Sequence, residues 1–198
     1  MISIYELKPR FQKLLNPVLK AFNRVGITAN QITLSSILLS AIIGILFSYS
    51  PKYNWLMLAV PVGLFLRMAL NALDGMMART YDQQSKIGEA LNEIGDVLSD
   101  LFIYFPLLLF FDEAQLLIVV FLCLSILNEF SGILSKTISG ERRYDGPMGK
   151  SDRAFIISCI ALLIFFEINL LPFQMWIFSI INLLILVSTF KRLKAGIS

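Results

Sequence analysis

Polar and ionisable side chains crowd into the stretch from Arg67 to Asp100, RMALNALDGMMAR and then GEALNEIGDVLSD, within sequence otherwise apolar enough for a bilayer. Ionisable groups at membrane depth are costly, so their concentration in one place marks function. At about 100° per residue, Arg67, Asn71, Asp74 and Ala78 share one helical face. Asn92, Asp96 and Asp100 lie on a broad face of the next helix, with Glu89 and Glu93 beside them. The connection from Thr80 to Ile87 is short, which predicts antiparallel packing of the two helices and a meeting of their polar faces just below one membrane surface. The chain has no histidine, so the commonest general base and the commonest transition-metal ligand are both missing. Cys123 and Cys159 sit in apolar runs and read as small packing residues rather than a disulfide. Acid–base and metal chemistry therefore falls to carboxylates. A cluster of oxygen donors suits Mg²⁺ or Mn²⁺ better than zinc, and such an ion offsets carboxylate repulsion and bridges a diphosphate.

These residues do not all carry the same weight. Asp74 and Asp96 are the centre of the pattern. Glu89 reads as a solvated residue of a first helical turn, where the helix dipole favours an acid. Glu93 stays open between solvation and the site, Arg67 between the site and a structural carboxylate partner, and Asp100 between the site and a neighbouring helix. A second polar group comprises Lys136, Arg142, Arg143, Asp145, Lys150, Asp152 and Arg153, around the glycine- and proline-bearing segment SGERRYDGPMGK. Anchoring to anionic lipid heads explains many cations in such a loop.

The elements that must position these groups are membrane helices. The chain has 198 residues, 57% of them hydrophobic and 16% charged, and apolar stretches near bilayer length recur throughout. The expectation is an all-α membrane protein, a single domain over residues 1–198. A surface segment, 1–30, precedes a six-helix bundle, 31–198, with spans near 31–50, 54–79, 88–111, 114–138, 151–168 and 170–190. In the surface segment Phe11, Leu14, Leu15, Val18, Leu19 and Phe22 recur at helical spacing, with Arg10, Lys13, Lys20 and Arg24 between them, as in an amphipathic juxtamembrane helix. Asn16-Pro17 is expected to break that helix or restart it. Fifteen of the seventeen Lys and Arg residues fall on one side of the six expected crossings, and the opposite loops hold only Lys52. The positive-inside rule then places both termini in the cytoplasm.

The spacing Asp74-Gly75-x2-Ala78-Arg79-x8-Gly88-x3-Asn92-x3-Asp96 resembles the signature of the CDP-alcohol phosphatidyltransferases, D-x2-D-G-x2-A-R-x8-G-x3-D-x3-D. Upstream, Gly26-Ile27-Thr28-Ala29-Asn30-x2-Thr33 resembles the segment that often precedes their first spanning helix. The likeness covers essentially the whole chain and is nearest to an uncharacterised subgroup of bacterial inner-membrane members. It departs from the signature at two aspartate positions, occupied here by Asn71 and Asn92. An amide oxygen still ligates a metal but brings no charge.

By position, the resemblance implies Asp74, Asp96, Asn71 and Asn92 around Mg²⁺ or Mn²⁺, with Asp96 also the catalytic base. Gly75, Ala78, Arg79, Gly88 and Thr33 would meet the donor nucleotide and phosphates, and Lys150 and Arg153 an acceptor that is phosphorylated in some members. The reaction implied moves a phosphatidyl (substituted phosphate) group from CDP-diacylglycerol or a similar CDP-linked lipid to an alcohol, with release of CMP, in phospholipid biosynthesis. Membrane lipids are the natural partners, family homodimers leave a second copy open, and no nucleic-acid partner is expected. The competing reading is a catalytically inactive lipid- or nucleotide-binding relative, motivated by the two asparagines. A prenyltransferase lacks the Asp-Gly-x2-Ala-Arg spacing. A transporter would place its polar residues at the midplane rather than at one face.

Overall fold

The structure, a computed structural model, describes residues 4–197, with side chains from Phe11 onward, and the described chain is helical with no strand. Arg10 and the start of the expected surface segment therefore lie outside the described side chains. Seven α-helices follow in order: α1 Ile4–Arg24, α2 Ala29–Tyr49, α3 Ala59–Thr80, α4 Lys86–Tyr104, α5 Gln115–Ser139, α6 Lys150–Phe165 and α7 Gln174–Ile197. Short 3₁₀ turns join them at the end away from the polar cluster.

Local chemistry sets the boundaries. Gly26 takes a positive φ of 78° in the turn after α1. Thr28 then caps α2, accepting from the Gln31 amide while the Gln31 side chain returns to the Thr28 N–H. Ser85 caps α4 through the Gly88 amide. The expected 88–111 helix stops at Tyr104 and tightens into a 3₁₀ turn over Phe105–Leu109, because Pro106 has no N–H to continue the ladder. α1, by contrast, runs unbroken through Asn16-Pro17. Pro17 is exposed, so the carbonyl it leaves unpaired is open to solvation. α7 extends past residue 190 through the cationic segment KRLKAGI, where cations suit a helix C-terminus.

Four helical stretches among the described residues are long and apolar enough to cross a membrane: Ala29–Tyr49, Asn54–Thr80, Asp112–Ser139 and Leu171–Ile197. The other two expected spans are helices that fall short by that measure. α4 carries Lys86, Glu89, Glu93, Asp96 and Asp100, and α6 has 16 residues.

Packing also departs from the expectation for α3 and α4. They are not the tight antiparallel pair that their short connection suggests; α2 packs against both. Gly44 makes that possible on the α4 side, since a Cβ there would run into the Phe102 carbonyl. α3 and α4 are joined instead by long polar side chains, described below. α5 and α7 form the most extensive pair, α6 lies on α3, and α1 rests on α3 through Leu15 and Leu19. The aromatic core fills the end opposite the polar cluster, with Phe111 against Phe178 at 5.2 Å and Tyr104 against Phe121 at 5.3 Å. Leu38, Ile45, Val62, Leu116 and Leu183 are among many exposed apolar residues, as expected of surfaces that meet lipid. Both cysteines are free.

Candidate active site

The ends of α2, α3 and α4 that carry the motif enclose an open cleft of about 460 Å³. Its walls include Thr33 from α2, Asp74, Gly75, Ala78 and Arg79 from α3, and Gly88 and Asn92 from α4. All five expected donor-binding residues and two of the four expected metal-site residues thus share one cavity. Ala29 and Asn30 of the upstream segment and Glu89 also border it, and Gln83, Gln84, Ser85 and Lys86, which the motif did not announce, complete the wall. Gln83 ties the α3–α4 connection to α2 by accepting from the Ala29 amide at 2.7 Å. Arg79 is exposed and has no ion-pair or hydrogen-bond partner among the described residues. Its guanidinium lies beside Gly75, where an added Cβ would come within 3.2 Å of it. Gly88 is confined for a different reason: a Cβ there would press on the Asn30 and Ser85 side chains.

The two motif carboxylates sit in different surroundings. Asp74, 6% exposed, accepts from the Thr33 hydroxyl at 2.9 Å and the Gly75 amide at 2.6 Å, both neutral donors. Thr33 is held in turn by the Ala29 carbonyl, so the upstream segment orients Asp74. Asp96, 8% exposed, lies behind the cleft and pairs with the Lys150 ammonium. Arg67 stands 3.9 Å from the same oxygen, Oδ1, and also donates to the Asp96 carbonyl at 3.2 Å. Asn71 turns its nitrogen toward Asp96 Oδ1 at 3.5 Å and its oxygen toward Ser36, which donates at 2.8 Å. The asparagine thus links α2 to α4, which a carboxylate facing Asp96 would not do.

Behind Asp96 runs a buried chain of ion pairs. Arg67 meets Asp100 at 2.7 Å, and Asp100 meets Arg153 at 2.8 Å. Arg153 then meets Glu129 at 2.8 Å. Glu129 also accepts from Arg142 at 3.0 Å, and Arg142 pairs with Glu93. Arg67 and Asp100 are therefore structural partners of each other, and Glu93 is tied to the loop rather than left to solvent. Glu89 is exposed and pairs with Lys136 at the surface. Arg153, 1% exposed, is committed to two carboxylates and to the Asn128 side chain, and does not border the cleft. In the loop Arg142 lies 5.1 Å from the Tyr144 ring centroid. Burial pushes the Tyr144 phenol above its usual range despite that cation, so the phenol is neutral at physiological pH.

Glu129 and Asn128 are the functional-end residues that motif reasoning missed. The signal was present: two adjacent polar residues interrupt the apolar run of α5, and the rule that marks Asp96 applies to them too.

A divalent cation suits one side of this arrangement. Asp74 makes no salt bridge among the described residues, and the Asn92 side chain lines the same cleft. No three His, Cys, Asp or Glu residues gather as a cation site among the described residues, so substrate oxygens would have to complete a coordination shell. Asp96 suits a metal poorly because Lys150 and Arg67 already answer its charge.

Seven motif residues on the ends of three helices lining one open cleft point to a known class: the chain is a member of the CDP-alcohol phosphatidyltransferase family, whose profile matches residues 26–190. It is 40% identical over 194 residues to the inner membrane protein YnbA of Escherichia coli (strain K12), covering 98% of this chain and 96% of that protein. Its fold resembles that of Mycobacterium tuberculosis phosphatidylinositol phosphate synthase (PgsA1). The structure with CDP-DAG bound aligns at a TM-score of 0.75 and 18% identity, covering 93% of this chain and 94% of that one. The complex with manganese and citrate aligns at 0.74 and 19%, covering 91% and 87%. At such identities the likeness is one of fold.

Proposed function

We propose that the protein transfers a phosphatidyl (substituted phosphate) group from a CDP-linked lipid, CDP-diacylglycerol or a close analogue, to an alcohol, with release of CMP. The observation that carries this is the cleft itself: Thr33, Asp74, Gly75, Ala78, Arg79, Gly88 and Asn92 line one cavity, with an unpaired guanidinium at its edge. The fold shared with a synthase solved with CDP-DAG supports the choice of donor. Arg79 offers a planar fork to a donor phosphate. Mg²⁺ or Mn²⁺ at Asp74, with Asn92 beside it, would supply the positive charge that a diphosphate needs, and the manganese complex of the same synthase fits that role. Asp96 takes the acceptor's hydroxyl proton. The alcohol oxygen then bonds to the lipid-side phosphorus, the bond from that phosphorus to the CMP oxygen breaks, and CMP leaves. Lys150 pairs with Asp96 and orients its carboxylate. Positioning and charge complementarity supply most of the acceleration. Lys150, part exposed, is the acceptor-side cation, whereas buried Arg153 acts on the acceptor side through the ion-pair chain.

This reading places the chain in a bacterial inner membrane as one domain crossing six times, with both termini cytoplasmic. α4 and its 3₁₀ extension reach from Lys86 to Leu109, and the carboxylates at 93, 96 and 100 turn inward to protein cations rather than to lipid. The test is metal-dependent CMP release from CDP-diacylglycerol by purified protein, with a panel of alcohols and phosphorylated alcohols and Asp96→Asn as the control. Release that vanishes in the variant supports transfer, and the alcohol that raises the rate names the product. Asn71, Asn92 and the Lys150–Asp96 pair favour a second reading, a non-catalytic relative that binds nucleotide or lipid. Nucleotide binding without release for any acceptor would select it.

A further inference from the structure

Each carboxylate of the buried cluster except one makes a salt bridge to a protein cation. Glu93 has Arg142, Asp96 has Lys150 and Arg67, Asp100 has Arg67 and Arg153, and Glu129 has Arg142, Arg153 and, at 3.8 Å, Arg192. The exception is Asp74, whose contacts are a hydroxyl and an amide and whose side faces the cleft. The two asparagines sharpen the contrast. Asn92 lines the cleft as a neutral donor, and Asn71 presents nitrogen, not oxygen, toward Asp96. Two divalent ions would carry twice the charge of Asp74 and Asp96 together even before Lys150 is counted. With Lys150 answering Asp96, one ion is enough for Asp74 and leaves positive charge, beside Arg79, for the donor's phosphates.

We propose that this protein works with a single divalent cation, held on the Asp74 side of the cleft, and that the Lys150 ammonium occupies the position from which a second cation would otherwise neutralise Asp96. The proposal deepens the transferase reading and rests on it for the identity of the cleft. A tethered ammonium is present at any metal concentration. It orients Asp96 through a contact made by α6, so the base belongs to the acceptor half of the bundle and Asp74 to the donor half. It also explains why Asn71 is suited to its position: an aspartate there would add a second negative charge beside Asp96, more than one ammonium offsets.

The experiment counts Mn²⁺ on full-length purified protein by the loss of the free-ion electron paramagnetic resonance signal, first with Mn²⁺ alone and then with saturating CDP. The expected result is one ion per chain. Asp74→Asn weakens it by at least about tenfold, and Asp96→Asn leaves the count at one. The double variant Lys150→Met/Asn71→Asp, with the ammonium removed and a carboxylate restored, takes up a second ion. Each variant is counted as monodisperse protein on gel filtration. Should Asp74→Asn fail that standard, Thr33→Val, which removes only the hydroxyl that orients Asp74, takes its place with the same direction expected. Two ions on the unaltered protein, none at all, a count that falls with Asp96→Asn and not with Asp74→Asn, or a double variant that stays at one would each overturn the proposal. Binding is read without turnover. Two ions on an active enzyme would therefore reject this inference and leave the transferase reading standing, while one ion without CMP release would do the reverse.

Discussion

Asp74 and Asp96 occupy equivalent places in a spacing pattern and inequivalent places in the molecule. Asp74 is set by neutral donors and faces the cleft; Asp96 is set by cations and lies behind it. A general base is worth about 10²–10⁴ in rate, so Asp96→Asn is expected to lower kcat by that order with the donor KM little changed. Steady-state CMP release against donor concentration checks this, and an unchanged kcat would remove Asp96 from the chemistry. Arg79 predicts the opposite split. It holds no protein partner and sits at the cleft edge, so Arg79→Lys keeps the charge but loses the paired donors. The expected outcome is a donor KM raised by about tenfold, with a smaller change in kcat, on the scale of one charge-assisted hydrogen bond. At this scale the sequence was highly informative about the donor side, because the motif's fixed spacing puts its residues on consecutive turns of two helices. Lys150, Arg153 and Glu129 were less legible. Each finds its partner on a different helix, and no local spacing encodes which cation meets which carboxylate.

The ion-pair chain is what makes separate helices one site. α3 and α4 do not pack closely on each other, and α6 reaches α4 through Lys150 and Arg153. Glu129 on α5 gathers Arg153 and the loop residue Arg142, so it joins α5 to α6 and to the segment that holds Glu93. Removing one partner from a buried pair leaves uncompensated charge at a cost of about 3–5 kcal/mol. Glu129→Gln should therefore destabilise the protein strongly, whereas Glu89→Gln, which breaks the exposed pair with Lys136, should cost about 0–1 kcal/mol. Equilibrium unfolding of the full-length protein in mixed detergent reads both, and equal losses would mean that the network is not what holds these helices. The helices themselves were mostly readable from apolar run length. Their ends were not, because those depend on single residues: Pro106 closes α4 early, and the last turns of α7 continue through cations that the hydropathy pattern leaves out. The insertion of α2 between α3 and α4 was also hidden, since it rests on the close approach at Gly44 to a carbonyl far along the chain.

For the whole molecule, charge and structure bear on orientation independently. The motif ends of α2, α3 and α4 lie at the same end as the start of α6 and the later turns of α5 and α7. The bonds between Ser135 and the Arg192 carbonyl, between Arg143 and the Ala195 carbonyl, and between Lys150 and Asp96 hold that end together. The opposite end carries the 3₁₀ turns, the exposed Trp55 and Trp176, and the single cation Lys52 among the loops there. Trp and Tyr suit either boundary of a bilayer, whereas an excess of Lys and Arg favours the cytoplasmic one. In the proposed reaction the donor's lipid tails stay among the helices while its nucleotide lies at the aqueous, cationic end of the bundle. The proposed six crossings fit this arrangement, because an even number returns both termini to the cationic side; four would leave α4 and α6, with Asp96 and Lys150, without a place in the membrane. The test uses a variant with Cys123 and Cys159 replaced by serine, and one new cysteine at Lys52 or at Glu141. In intact cells a membrane-impermeant maleimide should label Lys52→Cys and spare Glu141→Cys until the membrane is opened. Labelling of Glu141→Cys in intact cells would put the loop, the cleft and the proposed chemistry on the wrong side of the membrane.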